Sequence, residues 1–174
     1  MSQEHDVFIC HRGPDTKRND VSVLRGMLQS DGIKCFVDYG MDLGKSVESE
    51  IDAAIQSSRV FILILSPEFA TSTWCLDEIA RIINIPGARG PNPPRKIVAV
   101  FYDVQAEGIS YDLSNMKSRH PAKIESWEKA LEDVCHLRGF FYDTIQAFRP
   151  CNTSSSMTVT LSPLFRPSPQ PSRH

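Results

Sequence analysis

The run Val60-Phe61-Ile62-Leu63-Ile64-Leu65 limits what this chain can become more than any other stretch. It has the length and β-branched content of a strand, and it has no polar face to turn toward water. Such a strand is covered on both sides, as in a parallel sheet flanked by helices. After Ser66-Pro67-Glu68-Phe69-Ala70-Thr71-Ser72-Thr73-Trp74-Cys75-Leu76-Asp77-Glu78, apolar residues recur at helical spacing through Ile85. The segment is therefore a strand-to-helix crossing, and open parallel sheets bind ligands outside the carboxyl ends of their strands. Thr71, Ser72 or Thr73 can cap the helix. That places Trp74 and Glu78 one turn apart on one face, at the mouth of such a crevice. A plainer account of Glu78 also exists, because acidic residues early in a helix favour its dipole.

The rest of the chain supplies the partners for this strand. Asp6 to Cys10 reads as a strand, and His11-Arg12-Gly13-Pro14-Asp15-Thr16 as a loop that can cap the next helix. Val21, Leu24, Met27 and Leu28 mark that helix, which Asp31-Gly32 ends. Ile33 to Asp38 is a second strand, followed by the loop Tyr39 to Ser46. A helix carrying Val47, Ile51, Ala54 and Ile55 leads into Arg59–Leu65. Lys96 to Tyr102 is a fourth strand. Asp103 to Pro121 is irregular with short helical turns. Lys123 to Leu137 is a helix, and Gly139 to Asp143 a short edge strand. Strands alternating with helices define an α/β fold with a parallel sheet. Thr144 to Phe148 starts a short helix that Pro150 stops, and residues 144–174 read as a Ser/Pro-rich disordered tail.

Composition excludes several partners. The net charge of −2 gives no footprint for nucleic acid or an anionic membrane. Five cysteines without CxxC spacing argue against a disulfide framework or a zinc site and for a reducing compartment. No run is long enough to span a membrane. Met1 to Asp6 lacks the basic and apolar regions of a signal peptide, so a cytoplasmic location with possible nuclear access is expected.

Several sites common on open α/β sheets are missing. Cys10-His11 and Leu65-Ser66 stand where a phospho-accepting receiver needs carboxylates. The fingerprints GxGxxG, GxxxxGK[ST] and GxSxG do not occur. Cys10-His11 and Cys135-His136 are sequence neighbours, and adjacent side chains diverge, to opposite faces in a strand and by about 100° in a helix, so neither pair makes a thiol–imidazole dyad.

Five segments taken in order resemble plant-type Toll/interleukin-1 receptor (TIR) domains. They are Asp6 to Thr16, Phe36-Val37-Asp38 with Gly44-Lys45-Ser46-Val47 and Ala53-Ala54-Ile55, Ser66 to Glu78, Val100-Phe101-Tyr102-Asp103-Val104, and Trp127-Glu128-Lys129-Ala130-Leu131. The resemblance covers about residues 5 to 143, which we take as the domain, in a TIR-only architecture. It implies a flavodoxin-like fold with strand order 2-1-3-4-5 and helices on both faces. It also implies self-association, or association with other TIR-bearing receptors, and cleavage of NAD in defence signalling. NAD is then a substrate, and no cofactor or metal is expected. The family's catalytic Glu falls on Glu78, its Ser-x-Trp on Ser72 and Trp74, and its Arg-Gly on Arg12 and Gly13. The loop holding Gly44 and Lys45 matches the one that shapes the pocket and meets a neighbouring protomer.

Nicotinamide leaves NAD as a neutral molecule, so no general acid has to protonate it, unlike the leaving group of an ordinary glycosidase. One desolvated carboxylate then suffices to stabilise the ribosyl cation, and Glu78 is the candidate. Asp77, about 100° round the helix, is expected to be solvated or capping. Other roles have plainer alternatives: Ser72 as a cap, Trp74 as a half-buried core aromatic, Arg12 as a surface ion pair instead of a pyrophosphate ligand.

The chain departs from the pattern at several places. Leu43 stands where an Arg is usual. His11 replaces an aromatic and could stack on adenine. Gln105 stands where a Pro is usual, and the last helix is expected to be truncated. The last feature leaves a second reading open, a non-catalytic TIR–TIR interaction or adaptor module.

Overall fold

The computed structural model describes residues 5–16, 18–38, 45–88, 94–104, 111–144 and 147–150. Its centre is a sheet in the order β2-β1-β3-β4-β5-β6. The strands are β1 (Val7–His11), β2 (Cys35–Val37), β3 (Val60–Leu65), β4 (Lys96–Tyr102), β5 (Gly139–Asp143) and β6 (Ala147–Pro150). The first five pair in parallel, as the alternation of strands and helices requires. The helices are α1 (Arg18–Ser30), α2 (Lys45–Ser57), α3 (Thr73–Ile83), α4 (Ser114–Lys117) and α5 (Ile124–Cys135).

Side-chain alternation divides the strands between two cores. Phe8 and Cys10 of β1 join Phe61, Leu63 and Leu65 of β3 under α2, α3 and α5. Val7 and Ile9 join Ile62 and Ile64 on the opposite face, where Val21, Leu24 and Leu28 of α1 cover them. Every residue of β1 is buried, which explains why it reads as an unbroken apolar run. Gly32, at φ 79°, ends α1 as expected, and the Ile33 N–H reaches back to the Leu28 carbonyl at 3.0 Å.

Two expectations are corrected at the carboxyl end. The stretch expected to begin a helix instead forms β6, antiparallel to β5, with Asp143 opposite Ala147 and Phe140 opposite Pro150. β5 is therefore an interior strand. Its outer edge offers unpaired backbone groups, and a short hairpin satisfies them more directly than a helical turn can. Pro150, which has no N–H, stands at the end of the outermost strand, where that donor is not required. Among the described residues no helix follows β5, and Val98, Val100 and Tyr142 on the α1 face are only half-buried. Residues 151–174 lie outside the described residues.

Candidate active site

Strand order reverses direction beside β1. The chain leaves β1 for α1 on one face and leaves β3 for α3 on the other, and ligands of open parallel sheets bind at such a switch point. His11, Arg12 and Gly13 come from the first loop. Ser66 and the turn into α3 come from the second.

α3 starts because Ser72 caps it: its Oγ accepts from the Cys75 N–H at 3.3 Å. The next turn packs Cys75, Leu76 and Ile79 into the core, and the same face carries Glu78 inward. Glu78 is 1% exposed, and among the described residues neither carboxyl oxygen meets a donor at hydrogen-bond geometry. Burial, and then the neighbouring Asp38 carboxylate, push its carboxyl well above the usual carboxylate range. A buried acid with orphaned oxygens is costly for folding alone.

Asp38, the first residue beyond β2, is the site residue that the sequence reading did not single out. Its backbone N–H continues the ladder to the Ile9 carbonyl at 3.3 Å, and its side chain is buried. Trp74 donates its indole N–H to Asp38 Oδ2 at 2.5 Å. The signal available in the sequence was its place as the last residue of Phe36-Val37-Asp38, at the carboxyl end of a strand.

The remaining expected residues divide into several groups. His11 is 3% exposed and its Nδ1 meets Thr16 Oγ1 at 2.7 Å, so in this conformation the ring is folded inward and not open to a stacked base. Burial lowers its pKa, against the pull of the Asp38 carboxylate. Cys75 Sγ donates to the His11 carbonyl at 3.6 Å, which locks the start of α3 to the end of β1. Burial pushes the Cys10 thiol up, consistent with an inert core cysteine. Arg12 forms an ion pair with Asp15, whose other oxygen accepts from Ser66 Oγ at 2.5 Å. The Arg12 side chain is 25% exposed, so it is anchored to the loop while still reaching solvent. Gly13 lies in the turn that the Arg12 carbonyl closes onto the Asp15 and Thr16 amides. Lys45 opens α2, and its side chain lies outside the described residues, as does Gly44 with the rest of loop 39–44.

Asp77 corrects the expectation of a solvated or capping residue. Its Oδ1 accepts from the Trp127 indole N–H at 2.9 Å and its Oδ2 from Lys123 Nζ at 2.7 Å. It joins α3 to α5, because the helix turn that buries Glu78 against the sheet directs its neighbour sideways to the adjacent helix.

The family model for the TIR domain matches residues 4–148. A probable disease resistance protein of Arabidopsis thaliana, RPP1, is 30% identical over 79% of this chain and 12% of its own length. BdTIR of Brachypodium distachyon, named as a probable 2' cyclic ADP-D-ribose synthase, is 30% identical over 80% of this chain and 60% of its own length. The chain thus spans less than two thirds of these curated relatives. The TIR domains in the activated Roq1 resistosome superpose with a TM-score of 0.63 and 31% identity, over 82% of this chain and 89% of theirs. With the strand order, the α3 segment and a family match spanning most of its length, this chain belongs to the TIR domain family.

Proposed function

We propose that this protein cleaves the N-glycosidic bond between nicotinamide and ribose in NAD, acting in defence signalling. The observation that carries the reading is Glu78: a carboxyl 1% exposed, with neither oxygen meeting a donor among the described residues, on the same helix face as Trp74 at the switch point of the sheet. Similarity to a relative named as a probable cyclic ADP-ribose synthase supports NAD as the substrate.

The chemistry follows from the charge on each fragment. The bonding pair goes to the pyridinium nitrogen, which departs as neutral nicotinamide. The ribose is left as an oxocarbenium ion, and a carboxylate in a site of low dielectric stabilises it strongly. Without a cation nearby the acid is protonated. A cationic substrate reverses that preference, so the carboxylate forms where positive charge will develop. Water then captures the ribosyl cation and loses a proton, giving ADP-ribose. Capture by a hydroxyl of the same molecule gives a cyclic product.

In this reading Arg12 meets the pyrophosphate and Trp74 packs against the base or ribose. In this reading activity requires assembly of several copies.

Purified protein at high concentration, with and without a crowding agent, is expected to release nicotinamide from NAD. Glu78→Ala should abolish release. Equal turnover by that variant rejects the assignment. A second reading, a binding module for other TIR domains, is favoured by Val23 and Met27, each 59% exposed on α1. A complex with a TIR-bearing receptor, seen by mass alongside no NAD turnover, selects it.

A further inference from the structure

The Trp74 indole is fixed by a residue from a different strand, and that residue is itself a buried carboxylate next to the proposed catalytic acid. Asp38 is 5% exposed, and its Oδ2 receives the indole N–H at 2.5 Å. Trp74 and Glu78 stand one turn apart on α3, so what holds the ring also holds that helix face. We infer that Asp38 is the positioning residue of this site, anchoring the Trp74 ring and keeping Glu78 protonated until a cationic substrate arrives. The inference rests on the NAD-cleaving reading for its catalytic consequence, but not for its geometry.

Two carboxyl groups in one desolvated pocket do not both ionise readily. Asp38 has the indole N–H to stabilise its negative charge, whereas among the described residues the groups that bear on the Glu78 carboxyl are Asp38 itself, which disfavours its ionisation, and the weakly donating Cys10 thiol. The proton therefore resides on Glu78. Among the described residues, the other titratable or charged groups facing the pair are Cys10 and His11 from β1, Cys75 from α3 and Arg12 from the loop after β1. Burial raises the Cys10 thiol and lowers the His11 imidazole, so both are neutral at neutral pH, the Cys75 thiol donates to the His11 carbonyl, and Arg12 is held by Asp15. Asp38 is thus the charge within the pocket that decides the state of Glu78. When the pyridinium ribose enters, its positive charge favours the Glu78 carboxylate, and the Glu78 proton passes to solvent water as the cation binds.

The test has one arm that needs no substrate. The chain has two tryptophans, so the two indole N–H resonances can be followed by NMR and assigned with Trp74→Phe. From about pH 4 to about pH 8 the Trp74 signal is expected to titrate with a midpoint above the ordinary carboxylate range. That transition should vanish in Glu78→Gln and move toward lower pH in Asp38→Asn. A Trp74 signal that stays flat in the native protein, or titrates identically in Glu78→Gln, overturns the inference without any Asp38 variant having to fold.

In the second arm, Asp38→Asn is expected to lower kcat/KM for NAD by about tenfold or more and to shift the acid limb of its pH profile downward. Asp38→Glu should restore part of the activity. An unshifted profile at native kcat/KM also overturns it. If the native protein turns over no NAD while Trp74 titrates as expected, the proposed activity fails and the placement of Asp38 stands.

Discussion

The Trp127 indole N–H donates to Asp77 Oδ1 at 2.9 Å, across 50 residues of sequence, and joins α5 to α3 one residue before Glu78. The same carboxylate receives Lys123 Nζ, whose ammonium also lies 5.8 Å from the Trp127 ring centroid. The helix that carries the proposed catalytic acid is therefore held at its outer face by α5 and at its inner face by the sheet.

Trp127→Phe keeps most of the buried ring area and removes the donor. It should destabilise the fold by about 1–2 kcal/mol, measured by denaturant unfolding, because the half-buried Asp77 oxygen loses its partner. NAD turnover should fall less steeply than for any change at Glu78.

Glu78 gives a stability prediction with a definite sign. Its folded pKa is raised above the unfolded value, so its favourable contribution is complete below the ordinary carboxylate range and is lost as pH rises through the folded value. Glu78→Gln never ionises. The variant should match the native protein in acid and exceed it in stability at neutral pH, the gap opening as pH rises through the folded value. Thermal melts across pH check this, and a variant less stable at neutral pH would refute the buried-acid assignment.

Gly139 tests the β4–β5 pairing. A Cβ there would lie 2.5 Å from the Ala99 carbonyl oxygen and 2.8 Å from the Phe101 ring, and the first contact is backbone that cannot yield. Gly139→Ala should cost about 2–3 kcal/mol and loosen β5 and β6 together, which hydrogen exchange of their amides would report.

Arg12 separates anchoring from binding. Its ion pair with Asp15 is partly exposed, so Arg12→Ala should change stability by less than about 1 kcal/mol. If the guanidinium meets the pyrophosphate, KM for NAD should rise about tenfold with a smaller change in kcat, and Lys should restore only part of it. Unchanged steady-state constants would confine Arg12 to holding the loop.

Much of the architecture could be read along the chain. The unbroken apolar runs of β1 and β3 and the helical spacing of Val21, Leu24 and Leu28 are local patterns with local causes. The Ser72 cap and the Gly32 stop are equally local. The end of the chain was harder to read, because Ala147 to Pro150 has weak periodicity and its conformation is set by the open edge of β5 beside it. The site was half legible. Glu78 and Trp74 stand in one continuous motif, but their partner Asp38 lies 36 residues before the tryptophan on another strand.

The sequence by itself determined which segments become strands and helices, how they alternate and that an acid faces inward on α3, since periodicity and capping act within a few residues. Only the tertiary structure decided that Asp38 reaches Trp74, that Ser66 reaches Asp15 and that Asp77 bridges to Trp127. Those pairings depend on strand order and helix packing, which bring distant residues within hydrogen-bond range and withdraw the water that would otherwise separate their charges.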